Sequence, residues 1–145
     1  MANVLTNVGK QIVTYSLKRP LPGSGVGSAE PNRVAWGSGS LANNGAGNNG
    51  VPANVVDTAL ATEEAEARVS GTSSIVTDTT TNDTYQVQGT ITAIGNKSIT
   101  NAGLFDTDKA QGAGAGGNLF AKGDFTSVAL NTGDSIAFTF RWRIQ

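Results

Sequence analysis

The chain has 145 residues, which is the length of one ordinary domain with a core of its own. Its 19 glycines and its charged fraction of only 14% are typical of a loop-rich β protein and argue against a helical bundle. The formal net charge of −1 gives no long-range attraction to polyanions, so nucleic-acid binding is disfavoured.

The sequence lacks two residue types on which much protein chemistry depends. Cysteine is absent, which excludes disulfides and thiolate metal sites, and histidine, the commonest general base and metal ligand, is absent as well. We therefore expect no enzyme activity, no metal and no cofactor. The N-terminus lacks the features of a secretion signal, and no stretch approaches the roughly 18 apolar residues of a membrane span. These features predict a protein that is made in the cytosol and has no membrane partner.

The first third of the chain is mostly small and polar. Residues 1–10 predict a polar N-terminal arm, which is a candidate contact surface. The alternation from Ile12 to Leu17 predicts a first strand, which ends before Pro20 because proline cannot donate to a ladder. Residues 22–54 predict a long loop region rich in Gly and Asn. Its one apolar island, at residues 33–37, predicts a short strand over residues 32–37 between two long loops.

Asp57 to Val69 is the one segment that predicts a helix. It is rich in alanine, has glutamates in its early and middle turns, and is followed by Gly71 as a stop. We expect this helix to lie across one end of a sheet. The glutamates, Glu63, Glu64 and Glu66, would point in different directions, which favours a solvated face over a pair of catalytic carboxylates.

Two neighbouring segments predict an antiparallel hairpin. Thr72 to Thr80 is the first arm, Asn82-Asp83 the turn and Thr84 to Ile94 the second arm. In the second arm apolar residues alternate with glutamine and threonine, so one face is expected to be buried and the other exposed. The apolar residues are Tyr85, Val87, Ile91 and Ala93. Gly89 is predicted to form a β-bulge.

The segment from Ser98 to Phe125 predicts a second hairpin with matched Leu-Phe pairs in its arms. The pairs are Leu104-Phe105 and Leu119-Phe120, and both arms contain the β-branched and aromatic residues that pack on a pleated surface. The connector from Asp106 to Gly117 consists almost wholly of Asp, Gly, Ala, Lys and Gln. Such a segment can form a turn but has no large apolar side chains to contribute to a core.

Residues 135–144 show the strictest alternation in the chain and predict a strand with one buried face. Aromatic and branched residues at every second position, from Ile136 to Ile144, form the face that is expected to be buried. Arg141 and Arg143 lie on the opposite face. Two interpretations stay open for these arginines: they keep an edge or outer face soluble, or they pair with carboxylates on a neighbouring subunit.

Several strands at spacings near ten residues, with turns between them, predict an all-β fold. The expected architecture is an antiparallel β-sandwich of jelly-roll type with long loops and one short helix. Residues 1–145 are predicted to form a single domain without internal repeats.

Two motifs suggest ligands but lack the context that these ligands need. Gly45 to Gly50 and Gly112 to Gly117 match the dinucleotide pattern G-x-G-x-x-G, yet neither follows a strand and opens a helix, so flexible loops are expected. Asp106 and Asp108 imitate the start of a calcium-binding loop, but Ala110 stands where a third oxygen ligand is needed. Calcium binding is therefore disfavoured.

The candidate contact residues include aromatic and amide side chains. Trp36 and Trp142 favour core or subunit-interface anchors over a sugar-binding platform, although Trp36, in glycine-rich surroundings, is the better candidate for an exposed contact. The asparagines of the long loop are further candidates for an interface: Asn43, Asn44, Asn48 and Asn49.

The second predicted hairpin carries a family resemblance. Its run ITNAGLFD followed by GNLFAK is similar to a hairpin in virion structural proteins of tailed bacteriophages. The chain resembles the small capsid cement (decoration) proteins and, more loosely, tail-fibre and collar modules. Further blocks of the resemblance are RVAWGSG at 33–39, TAL at 58–60 with Glu63 and Arg68, NDTYQ at 82–86 and GDS at 133–135.

The resemblance implies a structural role without catalysis. Short decoration proteins of this kind are trimers on the outside of the capsid, where capsomers meet, so a homotrimer bound to the major capsid protein is expected. The chain would be made in the host bacterial cytoplasm and would end on the capsid exterior. Its contacts would come from Trp36, the four loop asparagines, Arg141 and Arg143.

Two other functions remain as alternatives. A tail-associated fibre or receptor-binding module would contact host surface glycans through an exposed Trp36 and the Asn-rich loops. A carboxylate-dependent hydrolase is the third, and it is disfavoured because none of the motifs is a catalytic signature.

Overall fold

The computed structural model describes residues 2–6, 29–39, 51–78, 84–114 and 116–143. These residues form eight β-strands and contain no helix, so the predicted all-β class is confirmed. The strands are β1 (Ala2–Leu5), β2 (Arg33–Gly37), β3 (Val69–Ser70), β4 (Thr72–Val76), β5 (Thr84–Thr92), β6 (Lys97–Phe105), β7 (Leu119–Leu130) and β8 (Ser135–Arg143).

The strands form two antiparallel sheets that pack against each other. The larger sheet has five strands in the order β1-β7-β6-β2-β3, and the smaller has three in the order β4-β5-β8. Buried side chains from both sheets belong to one core, as the predicted sandwich requires. The described pairings do not establish the jelly-roll subtype, which stays a prediction.

The core is aromatic, and the last strand contributes much of it. Phe138 and Phe140 of β8 are buried, and the rings of Trp36 and Phe138 meet edge to face with their centroids 6.3 Å apart. The side chains at positions 135, 137, 139, 141 and 143 are exposed. Burial of each inward ring removes apolar area from water, which stabilises the fold. The alternation predicted for this strand is confirmed over its described length.

The hairpin of β6 and β7 is confirmed, but its two Leu-Phe dipeptides are offset. Leu104 lies opposite Ala121, and Phe105 lies opposite Leu119. Phe120 is therefore an extra residue on β7, and such a bulge changes the alternation of a strand. Phe120 and Ala121 both join the core between the sheets, whereas Leu119 packs with Phe105 in a second apolar cluster.

The arms predicted at 72–80 and 84–94 pair as β4 and β5, but Gly89 forms no bulge. It lies opposite Phe138 in an unbroken register between β5 and β8. A Cβ at Gly89 would lie 2.8 Å from Cγ2 of Val34 on β2. The prediction of a bulge is therefore wrong. A glycine is needed at this position because the two sheets approach each other too closely here for a side chain.

The segment predicted as a helix, Asp57 to Val69, is not helical. Residues 51–68 form turns and bends that lie against the larger sheet, and we call them the strap. Leu60 of the strap packs with Ala35, Phe105 and Leu119. The backbones come so close that a Cβ at Gly37 of β2 would lie 2.3 Å from the carbonyl oxygen of Ala61. The strap therefore needs glycine beneath it.

Two features explain why the strap is not helical. Its backbone pairs with neighbouring elements, since the N–H of Glu64 donates to the carbonyl of Trp36 and the N–H of Arg68 to the carbonyl of Lys109. Thr62 has a positive φ of 40°, which interrupts helical geometry. The alanines favour a helix, but tertiary pairing overrides that weak local preference.

The predicted N-terminal arm is in part a strand. β1 pairs with β7, and the Thr6 hydroxyl donates to the carbonyl of Leu119 at 2.7 Å. Residues 2–6 therefore belong to the sheet and are not a free contact arm. Other predictions lie wholly or largely outside the described residues, among them the strand from Ile12 to Leu17, the loop region 22–54 and the turn at Asn82-Asp83.

Candidate interaction surface

A carboxylate of the strap is paired with a lysine of the sheet beneath it. The Lys122 ammonium on β7 donates to Oδ2 of Asp57 at 2.8 Å, and the two side chains are 0% and 1% exposed. The same oxygen accepts the N–H of Asn54. A charge at this depth is costly unless it has an opposite charge and hydrogen bonds, so each group supports the other.

A second ionic cluster joins the strap to the loop between β6 and β7. Arg68 donates to both carboxylate oxygens of Glu63 at 2.9 Å, the two-point geometry that guanidinium and carboxylate favour. Lys109 of the loop lies 3.4 Å from the same carboxylate and donates to the carbonyl of Glu64. The Arg68 guanidinium also stacks over the Phe105 ring at 3.5 Å, so it contributes both packing and charge.

A third cluster surrounds Glu66. Its carboxylate accepts hydrogen bonds from the indole N–H of Trp36 and the backbone N–H of Ile94, each at 3.1 Å, and pairs with Lys97. Burial alone raises the pKa of this carboxyl, but the bonds from these three residues outweigh burial and lower the pKa to about 2. Burial lowers the pKa of Lys97, and Glu66 and Glu64 raise it by more, so its net direction is upward.

These contacts correct the interpretation of the glutamates. Glu63, Glu64 and Glu66 do not lie on a solvated helix face, because each is bonded to a cation of the strap, the sheet or its loop. The side chains of Glu63 and Glu66 are 3% and 5% exposed. Their carboxylates hold the strap in place, which is a structural use.

We expect acid to weaken the strap through Glu66. Its pKa falls from 4.5 to about 2 on folding, which corresponds to about 3 kcal/mol of stability. Because the folded pKa is the lower one, this contribution is complete above about pH 4.5 and is lost as the pH falls toward 2. Urea unfolding of the wild type and Glu66→Gln should therefore differ most at pH 7 and clearly less at pH 3.

Glu30→Gln is the control for this experiment, because Glu30 is an exposed glutamate outside the strap. Its carboxylate accepts hydrogen bonds from the Tyr85 hydroxyl and the Asn32 amide, and the amide oxygen of glutamine can accept a hydrogen bond in its place. It should change the free energy of unfolding by no more than about 0.5 kcal/mol at either pH. A difference between the wild type and Glu66→Gln that is the same at pH 7 and pH 3 would contradict the role of the Glu66 charge.

The acidic groups of the loop between β6 and β7 bond to residues of the same chain. Asp106 accepts hydrogen bonds from the N–H and the side-chain amide of Asn118 at 2.9 and 2.7 Å. Asp108 pairs with Arg33 at 2.7 Å. Of the two aspartates of the calcium-like motif, Asp106 thus closes the loop and Asp108 joins it to β2. The glycine motif at 112–117 leads into β7 and not into a helix, and the one at 45–50 lies outside the described residues.

The side of the smaller sheet that points away from the core is polar and nearly uncharged. We call its exposed side chains the polar face: Thr72, Ser74, Gln88, Thr90, Thr92, Ser135, Ala137, Thr139, Arg141 and Arg143. Hydrogen bonds join cross-strand neighbours, including Thr92 with Ser135 at 2.7 Å and Gln88 with Thr139 at 3.4 Å. These bonds order the side chains, so the surface is formed before any partner arrives.

The two arginines predicted as interface residues both lie on the polar face and are exposed. Arg143 pairs with Asp78 at 3.1 Å. Arg141 donates from Nε to Oε1 of Gln86 at 2.6 Å. The structure thus brings the two residues together on one surface but places a carboxylate of the described chain beside Arg143 and not beside Arg141.

The other predicted contact residues are not part of this surface. Trp36 is 1% exposed, because its strand lies between β6 and β3 and its ring packs against Phe138. The interpretation as a core residue is therefore right, and the one as an exposed contact is wrong. Trp142 is half-buried and stacks on Phe140. The four loop asparagines lie outside the described residues: Asn43, Asn44, Asn48 and Asn49.

Sequence reasoning missed the importance of Gln86. This residue is 7% exposed and links two strands, since its amide Nε2 donates to the Ser74 hydroxyl at 3.3 Å while its Oε1 accepts from Arg141. In the sequence it is one polar residue of an alternating strand, with the same character as exposed Gln88. The alternation alone therefore does not distinguish the buried Gln86 from the exposed Gln88.

Two searches of the described residues bear on the kind of site. They contain no group of three or more acidic side chains that could hold a metal ion. Within the same residues, no helix has the length and apolar character to cross a membrane. Comparisons of the chain with models of protein families, with curated proteins and with solved structures found no match.

Proposed function

We propose that the chain is a structural virion protein that binds the outside of a phage capsid and stabilises the shell by bridging capsomers. The observation that carries this proposal is the polar face, where hydrogen bonds hold exposed side chains across three strands and charge is sparse. Such a surface suits broad contact with another protein. The resemblance of the hairpin at 98–125 to capsid cement proteins supports the same role.

The proposed mechanism is mechanical. A small sandwich seated where capsomers meet adds contact area that separation of the shell would expose to water again. The partner is the major capsid protein, and the bound form is a homotrimer. The ionic clusters of the strap support this role, because they tie an outer layer of the chain to its larger sheet.

Bare capsids are expected to open at a lower temperature than decorated ones. A protein that binds only the assembled shell stabilises the shell by mass action. Scanning calorimetry of capsids with and without the protein measures the difference. Added salt should loosen binding only slightly, because screening acts on charges and the polar face has few.

One argument for the receptor-binding alternative no longer applies. It required an exposed Trp36 as a platform for a sugar, and Trp36 is buried. Electron microscopy of particles labelled through this protein separates the two functions. Equal opening temperatures for bare and decorated capsids, with label at the tail tip and binding to host surface sugars, would replace the capsid assignment.

A further inference from the structure

We infer that Arg141 is the point at which the polar face binds a carboxylate of its protein partner. The two terminal NH₂ groups of the guanidinium would donate to the two oxygens of one Asp or Glu side chain. The choice of partner rests on the proposed function, in which that side chain belongs to the major capsid protein.

Arg141 is the exception among the cations of the described chain. Every other lysine and arginine there lies within salt-bridge distance of a carboxylate. The pairs are Arg33 with Asp108, Arg68 and Lys109 with Glu63, Lys97 with Glu64 and Glu66, Lys122 with Asp57, and Arg143 with Asp78. Arg141 has the neutral amide of Gln86 instead. An arginine stays charged, so this guanidinium retains the capacity to bind an anion from another molecule.

The guanidinium is also held in position. Ser74, Gln86 and Arg141 lie directly opposite one another on β4, β5 and β8. Ser74 accepts from Gln86, and Gln86 accepts from Nε of Arg141, so a buried amide orients an exposed cation. Because Nε is occupied, the terminal NH₂ groups are the donors that remain, and their spacing matches the two oxygens of a carboxylate.

The surroundings of Arg141 favour a single carboxylate over a polyanion. Its neighbours on the polar face are hydroxyl and amide side chains, and the nearby cation Arg143 is already paired with Asp78. Nucleic acids and sulfated glycans are held by several cations acting together. One Asp or Glu within an otherwise polar contact needs only one arginine.

Arg141→Gln and Arg143→Gln form a matched pair for the test. Both remove one positive charge from the same face of the same strand, so any general electrostatic effect is equal. Binding to bare capsids is measured by co-sedimentation, after unfolding curves show that both variants are folded. Arg141→Gln should bind about 10- to 100-fold more weakly than the wild type, the usual effect of losing hydrogen bonds to a charged group. Arg143→Gln should bind within about threefold of the wild type.

Chemical modification tests the partner's side of the contact. Carbodiimide with ethanolamine converts the exposed carboxylates of the capsid to neutral amides. Wild-type protein should then bind such capsids about as weakly as Arg141→Gln binds untreated ones. The inference is overturned if Arg141→Gln binds untreated capsids like the wild type, or if amidation leaves the advantage of the wild type unchanged.

A wild type that binds no capsid would refute the proposed function, and a second assay then decides the inference about Arg141. The three proteins are passed at low salt over poly-L-glutamate, heparin and uncharged dextran resins. A carboxylate site is supported if the wild type and Arg143→Gln elute later than Arg141→Gln from poly-L-glutamate and show no such delay on heparin or dextran. Equal elution of all three proteins, or stronger retention of the wild type on heparin, overturns it.

Discussion

Replacing Phe138 with aspartate is expected to unfold the protein. The Phe138 ring is 8% exposed and contacts three other rings, those of Trp36, Phe125 and Phe140. The new carboxylate would lie among these rings in the apolar core between the sheets. A charge buried without a partner costs several kcal/mol, which is of the order of the whole stability of a small domain. Far-ultraviolet circular dichroism of Phe138→Asp should show loss of the β signal of the wild type.

Thr139→Asp is the matched control, since it places the same charge one residue further along the same strand. Thr139 is exposed on the polar face, so its variant should stay folded, with the free energy of unfolding within about 1 kcal/mol of the wild type. If Phe138→Asp were as stable as Thr139→Asp, the assignment of the inward face of β8 would be wrong.

Removing the Asp57 carboxylate should cost about 3 to 5 kcal/mol of unfolding free energy. Asp57→Ala takes away the oxygen that lies 2.8 Å from Nζ of Lys122, whose side chain is 0% exposed. The lysine charge would then stay in the interior without this carboxylate, which is far more costly than losing an exposed ion pair. Urea denaturation at pH 7 measures the change.

A double variant separates the charge from the packing. Asp57→Leu combined with Lys122→Met replaces both ions with apolar side chains, and such exchanges of a buried pair are often neutral or stabilising. We expect the double variant to recover most of the stability that Asp57→Ala loses. A single variant that costs less than about 1 kcal/mol would show that this pair does not fix the strap.

The strands were predictable where one local signal decides the structure. In β8 the alternation of rings with polar residues specifies a half-buried strand without knowledge of the rest of the chain. The second arm of the β4–β5 hairpin follows from the same alternation, whereas the β6–β7 hairpin is predicted from the β-branched and aromatic residues in its arms. The polar face was predictable to this extent, since Arg141 and Arg143 fall on the outward positions of β8.

The strap was not predictable, because what shapes it lies far away in the sequence. Asp57 pairs with Lys122 across 65 positions, and Glu66 pairs with Lys97 and Trp36 across about 30. A local reading of the alanines and glutamates in this segment favours a helix. The burial of Trp36 also depends on the strap and on Phe138, and the orientation of Arg141 depends on Gln86 of another strand.

The pairing of charges within the chain also affects how copies of the protein behave toward one another. With nearly every described cation neutralised by a carboxylate of the same chain, and a formal net charge of −1, each molecule has only a weak electric field at long range. On a shell of the proposed kind, many copies could therefore sit side by side with little mutual repulsion. The same weak field gives the free protein little electrostatic protection against self-association when it is concentrated.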